Sequence, residues 1–302
     1  MNILSPKTPP QTRRILRALL QAAARFGDKG GWVMSSHVAM SMMMALFPFT
    51  LFVVALAGFL SRDVPVDDLF QVLLGAWPEQ VAIPIERELR AVLTASDSGL
   101  MTLGGVLALY FASNGVNAVR VAMERAYHET DPRPFWQTRL LSLGLVVAGA
   151  ALVLTGLAVN VVLPIYTNML RAAVPGEVTA WFSGVGASWV FVALMPVLGV
   201  VACHLLLPGR RHPLRQILPG VVLTLVLWAL AGWGFSIYIA RFAAYSATYA
   251  GLAGAMSALI FLYLNAAILI LGAEFNGTLI EAALADPTAE DRAQDDLAEK
   301  AD

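Results

Sequence analysis

Residues Thr248–Ala273 read TYAGLAGAMSALIFLYLNAAILILGA, 26 residues without a charged side chain. An α-helix rises about 1.5 Å per residue, so about 20 apolar residues cross the hydrocarbon core of a bilayer. This stretch meets that requirement with length to spare. Five others meet it too: Val33–Leu60, Leu100–Val119, Leu140–Leu163, Trp181–Leu207 and Ile217–Ile239. Val33–Leu60 and Trp181–Leu207 are longer than a span needs and contain Pro48 and Pro196, so tilt or a kink is expected in both. Composition agrees with the count of spans. Of 302 residues 58% are hydrophobic and 14% charged, against roughly 25% charged in soluble domains. So few charges could not cover a globule of this size in water. The expected fold is all-α, a polytopic bundle of six transmembrane helices.

The net charge of −1 is uninformative, but its distribution is not. Lys and Arg number six before the first span, four in 120–139, three in 208–216 and two after the last span. The alternate segments carry three (61–98), one (164–180) and one (240–247). Fifteen against five puts the N-terminus, both basic loops and the C-terminus in the cytoplasm by the positive-inside rule. Both termini inside and a bacterial inner-membrane location are the expectation.

Three regions follow. Residues 1–32 form a basic cytoplasmic segment in which Ile15–Phe26 reads as a short amphipathic surface helix, without the h-region and cleavage site of a signal peptide. Residues 33–273 form the transmembrane domain. Residues 274–302 form an acidic cytoplasmic tail, expected to be disordered from Asp286 because it is Ala-rich, acidic and free of aromatics. Between spans one and two, Ser61–Ser98 is too polar to cross. Val66, Leu69, Phe70, Leu73, Leu74 and Trp77 suit one external amphipathic helix, and Ile85, Leu89, Val92 and Leu93 a second.

Polar groups inside spans are costly, so each needs a partner or a function. Asn117, Arg120 and Glu124 share an arc of about 100° at the end of the second span, with Asn114 beside it. They form either an interfacial ion pair or the lining of a cytoplasm-facing cavity. Asn265 and Asn276 lie three turns apart on one face of the sixth span, and Glu274 points the other way. That carboxylate is expected to pair with a loop arginine such as Arg120, Arg125 or Arg139, or to act as a protonatable group in transport. Arg241, Tyr245 and Tyr249 are placed in an interfacial turn after the fifth span. His37 and His204 are each expected to hydrogen-bond a neighbouring helix. Cys203 lies in an apolar run and reads as an inert buried thiol.

Three motifs carry a family likeness. They are Ala45-Leu46-Phe47-Pro48-Phe49; Tyr110-Phe111-Ala112-Ser113-Asn114-Gly115-Val116 with Arg133-Pro134-Phe135-Trp136; and Phe242–Tyr249 followed by Tyr263-Leu264-Asn265 and Gly272-Ala273-Glu274-Phe275-Asn276. In this order they resemble the YihY/virulence factor BrkB family, over about residues 20 to 283. The resemblance implies a six-helix inner-membrane protein whose family was once labelled ribonuclease BN, with some members tied to serum resistance or envelope lipid phenotypes. It supplies no catalytic residues. Glu124 departs from the pattern, standing where members commonly carry asparagine.

Two function classes remain in view. One is a transporter, flippase or export factor for a lipid or amphiphile; the other is a non-transporting scaffold for envelope assembly. Ribonuclease activity is not expected, because the four histidines are scattered and no loop carries a paired-carboxylate or His-x-His motif. Membrane lipids and envelope-assembly proteins are the expected partners. No nucleic acid, metal or cofactor is expected.

Overall fold

The computed structural model describes residues 10–60, 100–158, 185–242 and 250–284, together with single positions between 67 and 90. Every element there is helical: α1 (Pro10–Asp28), α2 (Gly31–Leu60), α3 (Leu100–Ala126), α4 (Phe135–Leu157), α5 (Val185–Leu206), α6 (Leu214–Phe242) and α7 (Ala250–Leu284). Five contain a stretch long and apolar enough to cross a membrane: Gly31–Val53, Gly105–Ala126, Phe135–Gly156, Leu214–Tyr238 and Ala255–Leu284. The described apolar stretch of α5, Ala193–Leu206, is shorter.

The outward faces are what a bilayer requires. Leu218, Val222, Val226, Leu230 and Trp233 are all exposed on α6, at steps of three and four residues. Such a continuous apolar stripe would be an aggregation surface in water and is an ordinary lipid-facing surface in a membrane. Inside, burial of apolar area against lipid gains little, so close backbone approach carries the packing. Gly220 and Gly272 make the tightest approach: a Cβ on Gly220 would strike the Gly272 carbonyl and the Asn276 amide, and one on Gly272 would strike Thr224. Helix α7 packs on α1, α2, α3 and α6, and α2 lies along α3. The main core gathers Val38, Met123, Val200, Leu207 and Ile217 from α2, α3, α5, the α5–α6 link and α6 around Ala266, Ala273 and their α7 neighbours.

Helix α1 is amphipathic as its periodicity predicts. Ala18, Ala22 and Phe26 recur every fourth residue and are buried, Ala18 and Ala22 packing with Phe275 of α7. The chain reverses into α2 through Gly30, whose φ of 76° favours glycine.

Several boundaries differ from those expected. Helix α3 continues seven residues past Val119 to Ala126, and α7 continues past Ala273 to Leu284. Residues 274–284 of the expected tail are a continuation of α7, with Glu274, Asn276 and Thr278 buried, and residues from 285 on fall outside the described ones. The continuation of α7 packs against α1, with Ala18 and Ala22 on Phe275, and meets the α3–α4 link where His128 binds Glu274. Arg241 lies within α6 rather than in a turn after it. Tyr245 and Tyr249 fall outside the described residues, as do most positions of the two helices expected in 61–98. In that region Phe70 and Leu74 are buried, and Arg90 pairs with Asp67 and Glu86 while its guanidinium lies over the Phe70 ring.

Candidate functional site

The interior polar groups collect at one end of the bundle, where α1, α3, α5 and α7 finish and α2, α4 and α6 begin. They form three separate sets.

The first is sealed. Asn276 of α7 inserts into the first turns of α6: its Oδ1 accepts from the Gly220 N–H at 2.7 Å and its Nδ2 donates to the Ile217 carbonyl at 2.9 Å. Nδ2 also donates to the Tyr127 hydroxyl at 3.0 Å. That hydroxyl lies 2.7 Å from Nδ1 of His204 on α5. The imidazole tautomer sets which of the two groups donates in that bond, and Nε2 on the other side of the ring is buried without a partner. Burial pushes the Tyr127 phenol well above its ordinary pKa, against the Asn276 bond, so it stays protonated. Asn276, His204 and Tyr127 are buried. The far face of the Tyr127 ring system is closed by His212, stacked at 5.1 Å between centroids.

The second set is an ion-pair ladder. Arg120 reaches Asn117 Oδ1 (3.1 Å), Glu124 Oε2 (3.1 Å) and Asp131 Oδ2 (2.9 Å). Arg133 binds Asp131 in a fork, Nε to Oδ1 at 2.7 Å and Nη2 to Oδ2 at 2.8 Å. It also donates to the carbonyls of Leu206, Leu207 and Pro208, satisfying the open C-terminal end of α5. The Asp131 side chain is 5% exposed. Its burial alone would raise the carboxyl, but the Arg133 hydrogen bonds and the charges of Arg133 and Arg120 outweigh it and hold the group below the usual carboxylate range. Glu129 joins the same two links from the other side, accepting from the Arg210 N–H and pairing with His212.

The third set borders a cavity of about 350 Å³ among α1, α2, α3 and α7. His128 follows the end of α3, where His128 N–H bonds the Arg125 carbonyl and Glu129 N–H the Glu124 carbonyl. This Schellman closure puts residue 128 in the left-handed region, φ 57°, usually a glycine's place. The histidine is held there by Glu274 on Nε2 and Glu281 on Nδ1, both at 2.6 Å, and Glu281 in turn pairs with Arg25. Lys29 and Arg125 also line the cavity, together with Phe26, Met34 and Ile270.

The expected site residues are thus divided. Asn117, Arg120 and Glu124 come together as their helical arc predicts, with Asp131 as an added member. Asn114 does not join them; it accepts from Arg139, whose guanidinium also lies 4.0 Å over the Tyr110 ring. Asn265 bonds the Phe261 carbonyl of its own helix, apart from Asn276. Glu274 pairs with His128 rather than with Arg120, Arg125 or Arg139. His204 does bond across to a neighbouring element, whereas His37 is exposed on α2. Tyr127, His128, Asp131 and His212 were not singled out by the spacing. Each lies in or next to a short polar link, and their partners lie up to 149 residues away.

Residues 22–296 match the family model described as virulence factor BrkB. A Bacillus subtilis protein whose name describes it as ribonuclease-like is 29% identical over 265 residues, covering 86% of this chain and 94% of that one. A Coxiella burnetii protein named as a UPF0761 membrane protein is 23% identical over 254 residues, 82% of this chain and 88% of its own. A Rhodospirillum centenum protein of the same designation is 24% identical over 86% of this chain and 56% of its own. No solved structure matches.

Proposed function

The chain belongs to the virulence factor BrkB family of integral membrane proteins, and from that premise we propose that it moves a lipid or other amphiphile across, or out of, the bacterial inner membrane. The proposal takes α2 to α7 as six spans with both termini in the cytoplasm and the polar end of the bundle facing it. Residues 1–32 are then a docked cytoplasmic segment. The alternating direction of the six helices and the gathering of Arg25, Lys29, Arg120, Arg125, Arg133 and Arg139 at one end support that placement.

One observation carries the transport reading: the 350 Å³ cavity is lined by both charged and apolar groups, with Glu274 and His128 in its wall. Such a lining suits an amphiphile better than a wholly polar or wholly apolar solute. A charge pair placed at the end of a long apolar helix is the usual mark of a pathway. The left-handed backbone at His128 costs of order 1 kcal/mol and places the imidazole between two carboxylates. Among the described residues no three His, Cys, Asp or Glu side chains are grouped to hold a metal ion.

A scaffold for envelope assembly is the second reading, favoured by the sealed Tyr127–His204–Asn276 set, which rigidifies the bundle without opening a path. Liposomes carrying the purified protein and fluorescent phospholipid in the inner leaflet separate the two. Accelerated leaflet exchange that is lost in Glu274→Gln and reduced in Asn117→Leu supports translocation. Exchange equal to protein-free vesicles, with the fold intact, favours the scaffold.

A further inference from the structure

We propose that the cavity among α1, α2, α3 and α7 is a docking site for the phosphate headgroup of an anionic membrane lipid, gripped by Lys29 and Arg125. This deepens the transport reading of the same cavity but is tested by binding, so it can stand or fall without flux.

The charges in and around the cavity sort into used and unused. Glu274 is taken by His128, Glu281 by His128 and Arg25, and Glu129 by His212 and the Arg210 N–H. Every carboxylate bordering the cavity therefore has a partner. Lys29 and Arg125 make no ion pair among the described residues: Lys29 acts on Glu274 only through its field, and Arg125 reaches the thioether of Met34 at 3.1 Å. Both are exposed, so they stand where the cavity opens. A guanidinium offers a planar fork to two phosphate oxygens, and an ammonium adds a point charge beside it. An acidic peptide would serve the charges alone; a lipid also explains the rest of the lining.

That lining fixes the source. Phe26, Met34 and Ile270 give the cavity an apolar wall fit for a glycerol backbone and the first acyl carbons. Beside it Trp32 is 54% exposed, edge-on to Phe26 at 4.9 Å and stacked with Tyr263 at 6.2 Å. A partly exposed Trp at the start of a span suits the headgroup level of a bilayer. The cations therefore lie at the depth of lipid phosphates, where a free phosphate would leave the apolar wall bare.

The test is native mass spectrometry of the full chain released from micelles containing equal phosphatidylglycerol and phosphatidylcholine. One phosphatidylglycerol should be retained selectively. Retention should fall by roughly 25-fold in Lys29→Gln/Arg125→Gln, about fivefold for each cation removed, and Lys29→Arg should keep it. The comparison variant Arg211→Gln/Arg215→Gln, which removes two exposed cations outside the cavity, should leave it unchanged. Equal retention of the two lipids, or an equal loss in the comparison variant, overturns the site in favour of general surface attraction. Displacement of the lipid by millimolar inorganic phosphate overturns the lipid assignment, since it would show that the headgroup alone accounts for binding.

Discussion

Asn276 and Glu274 are two residues apart on α7, a rotation of about 200°, and so open onto opposite sides of one helix at the same depth. On the Asn276 side every contact is with protein: a backbone N–H, a backbone carbonyl, a phenol and an imidazole, all buried. On the Glu274 side the carboxylate belongs to a chain of ion pairs that ends in a cavity with two uncommitted cations. Polarity within a membrane bundle thus takes two forms. One is enclosed by protein and locks helices together, with His204 Nε2 left unbonded; the other opens onto a cavity.

The largest expected effect breaks the locked side. Asn276→Leu leaves the Gly220 N–H, the Ile217 carbonyl and the Tyr127 hydroxyl without this partner. At about 1–3 kcal/mol for each buried group, the loss should be at least about 3 kcal/mol in denaturant titration of detergent-solubilised protein. A loss below 1 kcal/mol would mean that the set is not sealed. Asp131→Asn comes next, at about 2 kcal/mol for its charge-assisted bonds to Arg120 and Arg133. Because the folded carboxyl lies below its ordinary value, its contribution is present above the ordinary carboxylate range and fades as pH falls through that range and the lowered value. The variant should therefore differ most from the parent at neutral pH and least near pH 3. A gap that is constant with pH would show that charge is not the cause. The smallest effect sharpens the contrast: Lys29→Gln should change stability by less than about 0.5 kcal/mol, because the cation anchors nothing in the protein. A larger drop would move Lys29 to the structural side of the comparison.

The positions of the long helices were legible because a run of about 20 apolar residues has few other meanings. Their ends were not. Glu274 and Asn276 interrupt the apolar run, yet α7 and its apolar stretch continue to Leu284, where α1 covers the helix with Ala18 and Ala22 against Phe275. Helical spacing brought Asn117, Arg120 and Glu124 together correctly, since local geometry alone decides that. The same reasoning set Asn114 beside them and Asn265 on the face of Asn276, but could not show that Arg139 engages the first and the α7 backbone the second. Pairing across helices, such as His128 with Glu274 at a separation of 146 residues, is a property of the assembled bundle and leaves no mark in spacing.

The Arg133 contacts have a practical consequence for anyone mapping the orientation of this chain. Links between spans are the customary places to splice a tag, cut site or reporter, on the premise that they hang free. Here one guanidinium ties the link after α3 to the last carbonyls of α5, and Glu129 ties it again to Arg210 and His212. The two links are buckled side to side, so a splice into either undoes a clasp in both. A reporter at residues 129–133 or 207–212 would record the damage it causes along with the side it faces, which makes substituted single cysteines the safer probe.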